Sequence, residues 1–156
     1  MRPAALALTG GTAIVAAVAG WKLRSHWLSR TLQVIQSSDH VRMSSDIAGL
    51  LRLPDSVGGY RRVRSAERGR QQTYVKGRST VSLFLPSSTA ADIAAAPRWA
   101  KQKAADGSTY TLTDQDDHCA VAFTYENQPV ILASRIKPGR LIELADHMMH
   151  AMREGY

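Results

Sequence analysis

Hydrophobic and polar positions divide this chain into three zones. Residues 4–20 form one uncharged, largely apolar run. Residues 21–36 carry helical spacing, with Leu28, Leu32 and Ile35 in one stripe and Trp27, Thr31 and Val34 beside it. Ser37, Ser38 and Asp39 offer a stop or a new cap. Ile47, Leu50 and Leu51 suggest a short second helix that ends before Pro54. Asp55 to Gly59 reads as a turn and as the boundary of the folded domain.

From Tyr60 onward the pattern becomes that of strands. Residues 60–65 and 71–76 flank Glu67-Arg68-Gly69 as a hairpin candidate, and Gly77 punctuates. Residues 80–85 are rich in β-formers and stop at Pro86. Ser87, Ser88 and Thr89 can cap a helix through Asp92 and Ile93, which Pro97 interrupts. Residues 108–113 alternate through Tyr110 and Leu112. Residues 119–125 and 130–136 flank Glu126-Asn127-Gln128-Pro129, the clearest hairpin. Pro138 and Gly139 open a last helix with Leu141, Leu144, Ala145, Met148 and Met152 inside. Asp146, His147, His150 and Arg153 take its outer face.

The expected architecture is α+β. One N-terminal transmembrane helix precedes a small, largely antiparallel sheet of about six strands with one or two packed helices. Residues 1–30 are the anchor and its flank, 31–58 a helical stalk, and 59–156 the α+β domain. No internal repeat is apparent.

The anchor rests on dimensions. Seventeen residues from Ala4 to Gly20 span roughly 26 Å as a helix, against a bilayer core of about 30 Å. Trp21 and Trp27 then sit where an interfacial aromatic belt is expected, with Lys22, Arg24 and Arg30 beside them. Two other readings fit the same stretch. One is a signal peptide cleaved at Ala17-Val18-Ala19, and the other an acid-free mitochondrial presequence. Small residues repeat every four positions, as Thr9, Ala13, Ala17 and as Thr12, Ala16, Gly20. Such lines let helix backbones approach closely in a membrane. The expected location is the inner (cytoplasmic) membrane with the domain on the periplasmic side, or the mitochondrial inner membrane.

Charge changes the picture further. The net charge is +7, yet residues 60–78 hold seven basic side chains against Glu67 alone, a net of +6. They are Arg61, Arg62, Arg64, Arg68, Arg70, Lys76 and Arg78. Such a cluster points to anionic lipid or to an acidic protein surface. Single-strand nucleic-acid readers interleave aromatics with their basic residues, and only Tyr60 and Tyr74 are available here.

Candidate chemistry is thin. Cys119 is the single cysteine, which excludes an internal disulfide. Asp114, Asp116, Asp117, His118 and Cys119 crowd one loop, but their spacing fits no calcium loop. His147, Met148, Met149, His150 and Met152 combine copper-friendly donors, yet Met148 and Met152 are needed in the helix core. His26 stands alone near the run. No GxSxG elbow, dinucleotide fingerprint or phosphate loop is present. No catalytic residue, cofactor or metal is therefore expected.

The segment LPDSVGGYRRVRSAERGRQQTYVKGRSTVSLFLPSS, followed by a strand, a hairpin and PGRLIELADHM, resembles the sensor-type outer domains of bacterial membrane-bound anti-sigma regulators. The resemblance covers about residues 53–152 and implies a strand pair, a VSLFL strand and a final helix. The zinc-type segment of such regulators, with His and paired Cys before the span, has no counterpart here. From the residues themselves, the expected function is that of a non-catalytic accessory or assembly subunit of a larger membrane complex, of energy-converting type (photosynthetic or respiratory) or another. Its partners would be the membrane, other membrane subunits and an anionic surface. The alternative is an anti-sigma-type sensor domain.

Overall fold

The computed structural model describes residues 30, 32–37, 41–43, 51–63, 71–104, 107–113 and 117–155. Eight strands make one sheet in which every neighbouring pair is antiparallel. They are β1 (Ser56–Val57), β2 (Tyr60–Val63), β3 (Gln72–Lys76), β4 (Ser79–Phe84), β5 (Ala100–Ala104), β6 (Gly107–Thr113), β7 (Cys119–Tyr125) and β8 (Gln128–Ser134). Their spatial order is β1-β2-β3-β4-β8-β7-β6-β5. Helical residues 32–37 form α1, Ala90–Ala95 form α2 and Pro138–Glu154 form α3.

Both faces of β7 and β8 are covered, which explains why these strands read as nearly continuous apolar runs. Successive side chains in a strand point to opposite faces. Val121, Phe123, Val130 and Leu132 face α3, which adds Leu141, Leu144, Ala145, Met148, Met149 and Met152. Ala120, Ala122, Ile131 and Ala133 face the other way, with Phe84 and Leu112. Three of those are alanines, and the room they leave takes Ile35, Val41, Ile93 and Trp99. Small residues on one face and large ones on the other thus match two different covering layers.

Strand order suggests two halves, each of four strands and a helix. They are not related by a two-fold axis. An antiparallel β4–β8 pair can be exchanged only about an axis perpendicular to the sheet, which would leave both helices on one face. Here α2 and α3 lie on opposite faces.

Turn chemistry sets the hairpins. Gly58 and Gly59, at φ +55° and +80°, join β1 to β2 with two residues, as a twisted hairpin demands. Glu126 and Asn127 do the same between β7 and β8, at φ +47° and +65°. The expected four-residue link there is therefore too long: Gln128 and Pro129 already pair with Tyr125 and Thr124.

Thr89 caps α2 through a reciprocal capping box with Asp92. Asp92 N donates to Thr89 Oγ1 at 3.2 Å and Thr89 N donates to Asp92 Oδ2 at 2.7 Å. The bond from Thr89 N, and after it the one that Thr89 Oγ1 donates to Asp92 Oδ2 at 2.8 Å, hold the Asp92 carboxyl below the usual carboxylate range. Thr89→Ala is expected to cost about 0.5–2 kcal/mol in urea unfolding. An unchanged midpoint would show that α2 is held by Ile93 packing alone.

Two expectations need correction. The sheet has eight strands rather than six, because the short edge strands β1 and β5 lack a run of β-formers. The stalk assigned to 31–58 does not stand apart from the domain over its described residues. Ile35 and Val41 are buried in the core on one face, Val57 belongs to the core on the other, and Leu51 and Leu53 pack against it. Leu51 has no helical structure, while Ile47 and Leu50 lie outside the described residues. No helix among the described residues is long and apolar enough to cross a membrane, and the expected span at 4–20 lies outside them.

Candidate docking surface

The described part of the basic segment maps to one wing of the sheet, and the structure sorts its side chains into two kinds. Register decides which. Arg62 lies opposite Tyr74 and Arg61 opposite Val75, so adjacent arginines face opposite sides.

On the α3 side the cations are engaged. The Arg62 guanidinium pairs with the Asp55 carboxylate, and Arg62 N donates to Asp55 O at 2.8 Å. Both contacts span the β1–β2 hairpin. Lys76 Nζ donates to Gly58 O at 3.1 Å and lies 5.7 Å from the centre of the Tyr60 ring. A Cβ on Gly59 would sit 2.9 Å from that same Nζ, so glycine leaves the lysine its path. Arg62 and Lys76 thus hold the hairpin in place.

On the opposite side Arg61 is exposed and faces solvent beside Val63, which is 48% exposed. Thr73, Val75 and Thr80 complete this patch and are half-buried. Its base is closed by buried Gln71, whose Nε2 donates to the buried Ser82 hydroxyl at 3.3 Å. Arg78 is exposed in the β3–β4 turn at the rim. No ion pair joins Arg61 or Arg78 to another described residue. Arg64, Arg68 and Arg70 lie outside the described residues, as do Thr9, Thr12, Ala13, Ala16, Ala17, Gly20, Trp21 and Trp27.

Among the described residues the other candidates do not assemble into a site. Cys119 is buried among the residues facing α3, and burial pushes its thiol up, away from the reactive thiolate. His118 is buried and Asp117 exposed, whereas Asp114 and Asp116 lie outside the described residues. On α3, Met148 and Met152 fill the core as expected, and Met149 joins them. His147 is exposed, and exposed His150 meets Glu154 at 3.1 Å. No group of three or more His, Cys, Asp or Glu able to hold a metal occurs among the described residues. A cleft of about 540 Å³ lies between α2 and residues 41–42, lined by Val41, Arg42, Ser87, Ser88, Asp92 and Pro97 among others. Asp92 is already engaged by Thr89 there, so the cleft offers no paired acid and base.

Searches against family models, curated proteins and solved structures return no match for this chain.

Proposed function

We propose that this chain is a non-catalytic, single-pass membrane protein that acts as an accessory or assembly subunit of a larger membrane complex. Residues 4–20 provide the span, its small-residue lines pack against partner helices, and the α+β domain docks through its basic wing. The observation that carries this reading is the exposure of Arg61 and Arg78 without an ion pair among the described residues, in a segment of net charge +6. Uncompensated charge concentrated on one wing repels itself in the free protein and is relieved by an anionic partner. Each exposed pair contributes only about 0–1 kcal/mol, so several must act together. Arg also meets carboxylates in bidentate fashion. The anti-sigma-type alternative rests on the sequence resemblance over residues 53–152 alone.

The test is the double variant Arg61→Glu/Arg78→Glu in the full-length protein, solubilised from membranes in mild detergent. The parent is expected to migrate in an assembly larger than its own 17.1 kDa chain. The variant should dissociate from it at about 0.15 M salt with its circular dichroism unchanged. Co-migration of a folded variant at that salt would show that the wing does not dock.

A further inference from the structure

We propose that the face of β2 and β3 on which no described helix packs is a recess, one structural layer deep, that receives an acidic amphipathic element of a partner protein rather than a lipid surface. The inference rests on the docking reading above and specifies its partner. On this face the described covering layer, made of α1, residues 41–43 and α2, shares a core with Phe84 of β4 and with β6, β7 and β8, and no described side chain of β1, β2 or β3 belongs to it. A helix with its side chains is about 10 Å thick. The described layer therefore ends in a step of about that height beside β3. Arg61 and Val63 are exposed on the floor, and Val75 stands directly across from Arg61. Opposed side chains on a strand pair lie about 5 Å apart, so charge and apolar surface are presented together.

Shape separates the two anionic partners. A bilayer is flat on this scale and would rest on the top of the step, leaving the Val63 floor unfilled. A single helix or strand is one layer thick and reaches the floor. Composition then fixes its chemistry. Val63 and Val75 ask for an apolar contact, while Arg61 and the rim Arg78 ask for carboxylates on its flanks. A second copy of this wing is disfavoured, because it would bring two segments of net +6 together.

The test places a polarity-sensitive bimane label on the floor through Val63→Cys, in the full-length protein held in zwitterionic nanodiscs. Cys119 is buried and does not compete for the label. The probe is a 20-residue helical peptide with a leucine stripe and glutamates elsewhere. A control label goes on the exposed, distant Thr124 through Thr124→Cys. The expected result is a saturable blue shift at residue 63 and none at residue 124. Arg61→Glu should weaken the affinity about tenfold or more. Binding that is sensitive to Arg61→Glu in calorimetry but leaves the residue 63 label unshifted would overturn the recess and leave basic docking standing. A shift produced by nanodiscs containing anionic lipid and not by the peptide would make lipid the occupant and overturn the proposal. No binding of either probe would overturn the recess and the docking reading together.

Discussion

Ile35→Ala is expected to lower the stability of the domain by about 2–5 kcal/mol, the usual loss for a buried isoleucine truncated to a methyl group. Ile35 has no exposed surface and shares a core with Phe84, Ile93, Trp99 and Ile131. Removing most of its side chain leaves a cavity between α1 and the alanine-lined face of the sheet. The neighbouring Gln33 and Gln36 are exposed, and Gln36→Ala should change stability by about 0.5 kcal/mol or less. Urea unfolding of the full chain in detergent, followed by circular dichroism, measures both. If the two substitutions have equal effects, α1 is a stalk that merely rests near the domain.

Tyr74→Phe should produce two effects that separate by pH. Tyr74 is wholly buried, and its hydroxyl donates to Pro54 O at 2.9 Å. Burial is the main reason its pKa is pushed up to about 12 from 10.0, with Arg62 opposing the rise and Asp55 adding to it. The folded state therefore favours the neutral phenol. Its contribution is fully present below pH 10 and is lost as pH rises through about 12. That difference corresponds to about 3 kcal/mol. The phenylalanine variant leaves the Pro54 carbonyl without this donor, which costs about 1–3 kcal/mol at neutral pH. It should also show a flatter decline between pH 10 and 12 than the parent. An identical alkaline decline in both proteins would assign the pH dependence to other groups.

Much of the sheet was legible because its central strands are apolar enough to announce themselves. VSLF, CAVAF and VILA each fall in a strand, and the Pro138 start and methionine stripe of α3 mark a helix of 17 residues. The edges were not legible. Ser56–Val57 is too short to carry a pattern, and Ala100–Ala104 is a run of three polar residues between two alanines. The basic wing was visible as composition, but its division was not. Arg61 and Arg62 are neighbours in sequence, and only register sends one to solvent and the other to Asp55. That register depends on β1, the strand the pattern hid. Burial of Ile35 and Val41 was equally hidden, since an amphipathic stripe does not reveal what it packs against.

Strand order has a consequence for how the chain is made. Of the eight strands, β8 is the last in sequence, yet it lies between β4 and β7 near the middle of the sheet. Until β8 emerges from the ribosome, β1–β4 and β5–β7 are two separate ribbons with β4 and β7 as open inner edges. Those are also the apolar strands, and unpaired apolar edges recruit other chains. Val81 waits for Ser134 and Phe84 for Ile131, about fifty residues downstream, so the joining contacts are non-local and slow to close. A cell that halts synthesis before residue 128 releases two sticky half-sheets. Completion of the chain is thus what protects it, and the step most exposed to misassembly is the insertion of a single seven-residue strand.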